Sequence, residues 1–394
     1  MTPGARLAAA IELLDAAIVA AREGGAAADT LIARYFATRR YAGSKDRRAV
    51  RELVYEAIRR FGEPPVSGRE AMVALADLDP GIAAMFDGSG HAPQAIDPDE
   101  PRTAEARVPG WLGRRLAASG LEPADIASLI DRAPLDLRVN RLRTTPAEAA
   151  ELFTEVRPVD GAPDALRLPT GSAVDQTQAW QDGLVEIQDA GSQMVTAAAH
   201  VEPDMQVIDL CAGAGGKALA LAAAMDNRGT VLASDVDRGR LSRLPPRAER
   251  AGATIIETRL LDGDREAAAL EDWSDRADVV LIDAPCSGTG TWRRNPEARW
   301  RLSPPRIARL VATQSRLLDL GATLVRPGGA LVYIVCSLLD EEGAGQVDRF
   351  LTDHPGWTAE APIAQGRPRG VGRRLTPAHD ATDGFFVARL IRPC

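Results

Sequence analysis

Lysine is almost missing from this chain: of 47 basic residues only Lys45 and Lys217 are lysine, and the rest are arginine. Cysteine is scarce as well. Cys211, Cys286, Cys336 and Cys394 show no paired short spacing, so neither a structural zinc site nor a disulfide framework is expected. His91, His200, His354 and His379 lie beside no candidate nucleophile in sequence. No apolar run is long enough to span a bilayer. The opening "MTPGARLAAAIELLDAAIVAAREGG" is interrupted by Glu12 and Asp15, and its apolar spacing fits an amphipathic helix better than a signal peptide. These absences lead to the expectation of a cytosolic protein that holds no metal and does not enter a membrane; a monomer is expected, though no residue pattern speaks to it.

What is present begins with charge. The net charge of −8 argues mildly against a polyanionic partner. Its distribution argues the other way. Residues 287–318 carry Arg293, Arg294, Arg299, Arg301, Arg306, Arg309 and Arg316 against Glu297 alone, and "GRPRGVGRR" at 366–374 holds no acid. One such run reads as a solvated face, but two near a catalytic motif favour a phosphate-binding surface. Lys217 stands inside the most glycine-rich motif of an arginine-rich chain, which suggests that a compact ammonium is needed there.

The chain is 394 residues long, room for two or three domains. Residues 1–75 read as helices, and "RRAVRELVYEAIRRF" has helical apolar spacing. Residues 76–107 are rich in Asp, Gly and Pro and read as a linker. Over 108–200, "LDLRVNRL", "DALRLP" and "GLVEIQD" read as strands, and "TPAEAAELF" as a helix capped by Thr145, giving a small α+β module. From 201 to 394, strands alternate with helices. "MQVIDL", "GTVLASD", "ATIIET", "ADVVLIDAP" and "PGGALVYIVCS" are the strands, and a long helix starts at Pro304. The expected fold is α/β: a Rossmann-like, doubly wound and mostly parallel sheet behind the small module and the N-terminal helices.

Ligands bind such sheets at the carboxyl ends of the strands. "DLCAGAGGKA" ends the first of them, and Asp235 ends the next, where a carboxylate can hold ribose hydroxyls. The motif alone leaves three readings open: S-adenosylmethionine, a nicotinamide or flavin dinucleotide, or a ligand-free turn. A P-loop fits poorly, since Ala218 follows Lys217. Asp262 and Asp283 fall near the ends of the third and fourth strands. Asp262 also reads as a plain polar strand end.

The cysteines decide between the cofactors. Cys286 in "DAPCSGTG" and Cys336 in "LVYIVCS" both end strands, and each precedes a serine. Hydride transfer has no use for two thiols at the cofactor rim. Methylation of a pyrimidine at carbon 5 does, because a thiolate adding to carbon 6 makes carbon 5 nucleophilic, and the adduct must later be resolved.

At these motifs the chain resembles the RsmB-type (NOL1/NOP2/Sun-like) RNA cytosine-5 methyltransferases. The resemblance runs from about 108 to 391 through "VPGWLGRRL", "VEIQDAGSQ", "DLCAGAGGK", "DAPCSGTGTWRRNPEARW", "LVYIVCSLLDEE" and "RLTPAHDATDGFFVARL". It implies an S-adenosylmethionine-dependent enzyme acting on RNA, ribosomal RNA first. It implies Cys336 as nucleophile, Cys286 in product release, Asp283 at the cytosine and Lys217 at the active site. It implies that Cys211, Ala212, Gly213, Ala214, Gly215, Gly216 and Lys217, with Asp235, Asp262 and Asp283, hold the cofactor. The module at 108–200 would resemble an RNA-recognition motif, and the N-terminal helices a reduced NusB-like domain. The chain departs from the family pattern at "AGAGGK", at "VCS", and at Pro245-Pro246, which should break a helix the family keeps whole. The alternatives are a non-catalytic RNA-binding or assembly protein on a methyltransferase scaffold, and a nicotinamide-dependent oxidoreductase.

Overall fold

A computed structural model describes residues 1–263 and 265–394, which form two compact units. The first unit comprises Met1–Asp131 and Thr291–Pro304. It is built from α1 (Pro3–Glu23), α2 (Ala28–Ala37), α3 (Ser44–Arg60), α4 (Gly68–Ala76) and the shorter α5 (Pro80–Ala83), α6 (Gly110–Ala118) and α7 (Pro123–Ser128). The Thr2 hydroxyl caps α1 by accepting from the Ala5 N–H at 3.2 Å. Leu7, Leu14 and Ile18 form the buried stripe of α1, while Glu12 and Asp15 are exposed. That stripe packs with Val54, Ile58 and Met72. Residues 108–131 thus group with the N-terminal helices.

The segment 291–304 belongs to this helical core. Trp300 packs into it, and Glu297 accepts from the Ala28 N–H at 3.1 Å, at the start of α2. Arg299 is 1% exposed and donates to the carbonyls of Pro296, Ile58 and Phe61. The expectation that the arginines of this run hold phosphates therefore fails for Arg299. Its guanidinium is spent on carbonyl groups inside the unit. Arg293 is buried too, and so is Arg374 of the second run, which pairs with Asp340 at 2.6 Å.

The second unit comprises Arg132–Gly290 and Pro305–Cys394. Its smaller sheet holds β1 (Leu135–Val139), β2 (Arg157–Val159), β3 (Ala162–Leu168) and β4 (Val185–Ile187) in the order β2-β3-β1-β4, with antiparallel neighbours. Short helices α8 (Pro146–Ala150) and α9 (Gln178–Gln181) accompany it. The Thr145–Glu148 capping box starts α8 where the sequence indicates. Helix α10 (Ala190–Ala197) then packs against β1 and β3 and continues onto the larger sheet.

That sheet contains β5 (Gln206–Asp209), β6 (Thr230–Asp235), β7 (Ile256–Leu260), β8 (Ala277–Asp283), β9 (Val325–Val335) and an antiparallel margin of β10 (Thr358–Glu360), β11 (Arg367–Arg369), β12 (Gly372–Leu375) and β13 (Phe385–Ile391). The order is β11-β12-β13-β9-β8-β5-β6-β7, with β10 also on β13, and β5 through β9 pair in parallel. Helices cover the parallel strands: α11 (Gly216–Ala224), α12 (Arg238–Leu241), α13 (Leu244–Ala251), α14 (Glu266–Ala269), α15 (Pro304–Leu324), α16 (Ala344–Asp353) and α17 (Pro377–Asp380). Burial on both faces explains the continuous apolar run of β8 and β9. The chain steps outward from β5 to β7, then returns to place β8 on the other side of β5. This reversal is the switch point at which open α/β sheets form a crevice. Pro245 and Pro246 break the helix after β6 in two, and α13 restarts with them in its first turn, where a missing N–H costs no bond.

Candidate active site

β5 delivers Asp209 to the switch point, and the chain then turns through Cys211–Gly215 into α11. Gly213 and Gly215 take φ of +55° and +83°, and a Cβ on Gly215 would meet Leu244 Cγ at 2.4 Å. Both the backbone twist and the close packing require glycine there. Asp235, at the end of β6, is 6% exposed and accepts from the N–H groups of Gly213 and Asp237, each at 2.7 Å. Arg240 approaches it at 3.9 Å.

Across the crevice β8 ends in Asp283. Lys217, in the first turn of α11, donates to Asp283 Oδ2 at 2.6 Å and to Ser192 Oγ at 3.4 Å. Burial alone would lower the pKa of its ammonium, but the charges of Asp283 and Asp209 outweigh burial and raise it. Asp209 is 1% exposed, and neither carboxyl oxygen has a hydrogen-bond partner, although the Ala218 N–H faces it. Burial, then the neighbouring Asp283 charge, pushes its carboxyl up to about 7. Burial also raises the Cys211 thiol, and the carboxylates of Asp209 and Asp235 add to this.

Asp209, Lys217 and Asp283 line a cavity of about 230 Å³ with Cys211, Ala212, Ala214, Gly216, Gln188, Ser192, Arg240 and Arg247. A buried carboxylate without a partner at a glycine cradle suits a cationic ligand, as does a second carboxylate anchored by backbone N–H groups. The donor set fits a nucleoside that carries an ammonium and a sulfonium. Asp262 lies exposed in the loop after β7, away from this lining.

Cys286 and Cys336 meet with their sulfurs 3.3 Å apart, far longer than a disulfide, and both thiols are free. Two backbone bonds hold the loops: Ala284 N–H to the Ile334 carbonyl at 2.9 Å, and Gly290 N–H to the Cys336 carbonyl at 3.0 Å. The hydrogen bond with Cys336, then burial, raises the Cys286 thiol well above its ordinary range. Lys217 stands within electrostatic reach of Cys336.

The residues singled out in the sequence converge, except Asp262. Three that matter were not singled out. Asp209 sits inside the quoted "DLCAGAGGK", and its place at the last position of a buried strand was the available signal. Gln188 lines the cavity, and Arg247 reaches both the Ala214 carbonyl at 2.6 Å and Glu186 at 2.8 Å. Gln188 lies inside the quoted "VEIQDAGSQ", whereas Arg247 has no sequence signal, because its contacts join distant elements.

Comparison with known proteins points the same way. The family model described as "16S rRNA methyltransferase RsmB/F" matches residues 196–391. "Ribosomal RNA small subunit methyltransferase B" of Salmonella arizonae is 35% identical over 307 residues, 75% of this chain and 69% of that protein. "Probable ribosomal RNA small subunit methyltransferase B" of Synechocystis sp. is 37% identical over 269 residues, 65% of this chain but 59% of that protein, so the match leaves much of this relative's length uncovered. Among solved structures, PH0851 superposes with a TM-score of 0.79 at 24% identity, covering 98% of both chains. NSun6 from Pyrococcus horikoshii, solved with SFG, superposes with a TM-score of 0.62 at 19% identity, covering 68% of this chain and 93% of its own. These two likenesses establish the shared fold.

Proposed function

Since the chain belongs to the RsmB/F family of 16S rRNA methyltransferases, we propose that it is an RNA cytosine-5 methyltransferase acting on ribosomal RNA, with Cys336 as the nucleophile. The observation that carries this reading is the pair of free thiols 3.3 Å apart, beside a Lys217–Asp283 ion pair at the cofactor crevice. S-adenosylmethionine is the cofactor, and when bound it supplies an electrophilic methyl group.

In this reading the loop Cys211–Lys217, Asp235 and Asp283 hold the cofactor, and the Asp209 carboxylate faces its cationic end. The Cys336 thiolate adds to carbon 6 of the cytosine. A carbon–sulfur bond forms, and the ring electrons move to carbon 5, which becomes the nucleophile. Asp283, fixed by Lys217, orients the base. After methylation the proton on carbon 5 passes to water, the carbon–sulfur bond breaks, and its electron pair returns to Cys336. Cys286 donates its S–H to that returning thiolate, which eases release. The part of the expected 108–200 module that folds around β1–β4, together with the exposed arginines, supplies RNA contacts.

The test is transfer of labelled methyl to unmodified ribosomal RNA with bisulfite mapping, for wild type and Cys336→Ala. A labelled cytosine that disappears in the variant is expected. Label on a base other than cytosine, or label that survives in Cys336→Ala, overturns the reading.

A further inference from the structure

Each cysteine of the pair is followed by a serine, and both serines turn inward to one buried carboxylate, Glu342. Glu342 is 0% exposed. It accepts from the Ser287 N–H at 2.8 Å, the Ser287 hydroxyl, the Ser337 hydroxyl at 2.5 Å and Gln314 Nε2 at 3.1 Å. Gln314 also donates to the Pro285 carbonyl at 2.9 Å, and Thr289 Oγ1 lies 3.2 Å from Ser337 Oγ. The Tyr333 hydroxyl donates to the Glu342 carbonyl at 2.6 Å. Every partner of the carboxylate is a donor, the set that an ionised carboxylate accepts. Among the described residues no Arg, Lys or His forms an ion pair with it.

A buried charge without a counter-cation is costly, and a neutral side chain could link two loops at less expense. The charge therefore calls for a role. The groups within electrostatic reach of the sulfur pair are unevenly arranged. The Lys217 ammonium, itself paired with Asp283 and near Asp209, acts on Cys336. Glu342 acts on Cys286, while Cys286, Glu342 and Cys211 all act on the Tyr333 hydroxyl. The two sulfurs thus have different charged neighbours, Lys217 for Cys336 and Glu342 for Cys286.

We propose that Glu342 is a positioning residue: it clamps the two cysteine loops through Ser287 and Ser337, and its charge keeps the pair's remaining proton on Cys286 and the thiolate on Cys336. One proton leaves the pair to solvent on activation, and the second stays on Cys286. The inference rests on the reading of Cys336 as nucleophile, yet it can be tested without methyl transfer. The Cys286 thiol is raised first by its bond to Cys336 and by burial, with the Glu342 charge adding in the same direction.

The experiment is alkylation of the full chain by iodoacetamide across pH 6–9, resolved by residue with mass spectrometry, for wild type, Glu342→Gln and Glu342→Asp. In wild type, Cys336 should react about tenfold faster than Cys286 near neutral pH. Glu342→Gln should reduce that ratio about fivefold and move the onset of Cys286 reaction about one pH unit lower. Glu342→Asp, which keeps the charge, should keep the wild-type ratio. In methyl transfer, Glu342→Gln should lower kcat, leave KM for RNA unchanged and move the alkaline limb of the pH profile down. A Glu342→Gln ratio equal to wild type overturns the inference. If that variant does not fold, the wild-type chain decides: equal alkylation of the two cysteines throughout the range overturns it. The expected alkylation pattern in a protein that methylates no cytosine would support the inference while overturning the functional reading.

Discussion

Single residues carry the chemistry, and they make the sharpest predictions. Cys336→Ala should lower methyl transfer by about 10³-fold or more, since in this reading the sulfur that adds to carbon 6 is lost and Cys286 only resolves the adduct. Cys286→Ala should still form the adduct and should accumulate a protein–RNA species stable in denaturant, seen as a shifted band on a denaturing gel. An adduct accumulating in Cys336→Ala instead would reverse the roles. Asp209 gives a prediction in pH. Its carboxyl is held up at about 7, so between the ordinary carboxylate range and that value the folded chain keeps a proton that the unfolded chain has lost. Stability of the ligand-free protein should therefore fall as pH rises through that window. Cofactor binding should release a proton and tighten from pH 6 to 8. Asp209→Asn should bind more weakly and lose this pH dependence, as read by calorimetry in buffers of different ionisation enthalpy. The cysteine motifs announced themselves in the sequence because chemistry and strand end coincide there. Asp209 lay in the quoted motif, but only its burial without partners sets it apart from an ordinary strand end.

At the scale of elements, α13 shows how a local break serves the crevice. Pro245 and Pro246 end one helix and start the next, and the new helix presents Arg247 and Arg250 to Glu186 on β4. Glu186 is 3% exposed, and Arg250 lies over the Trp180 ring at 3.8 Å. Arg247 also grips the glycine loop through the Ala214 carbonyl. Arg247→Ala should raise the cofactor Kd about tenfold with kcat little changed, because it loosens the cradle and touches no reacting atom. Glu186→Ala, which strands two arginines, should cost about 3 kcal/mol of stability in denaturant unfolding. The prolines were legible as a break. Their use was not, since periodicity shows where a helix ends and cannot show which distant carboxylate its next turn will meet. The arginine run at 293–316 teaches the same lesson in reverse. Composition marked it as cationic, but Arg299 is buried among carbonyls.

For the whole molecule, the parallel pairing of the strands followed from their alternation with helices, whereas their order, and with it the switch point between β5 and β8, is set by the tertiary structure. The membership of residues 291–304 in the helical unit did not, because a short segment far along the chain carries no mark of its partners. A chain cut to 132–394 would leave Trp300 and Arg299 without the core that buries them. It should express as aggregate or show a lowered and broadened thermal transition, checked by light scattering and calorimetry. RNA affinity of the intact chain should fall steeply with salt despite the net charge of −8, because the exposed arginines that remain available still displace counterions. A salt-independent affinity would count against them.

The passage of 291–304 through the helical unit also bears on synthesis. A ribosome makes the first 131 residues early, yet Trp300, Glu297 and Arg299, which complete their core, emerge only after the cofactor loop and both strands of the switch point. The helices of Met1–Asp131 are therefore expected to complete their core only after Thr291–Pro304 has been synthesised, rather than one contiguous stretch at a time.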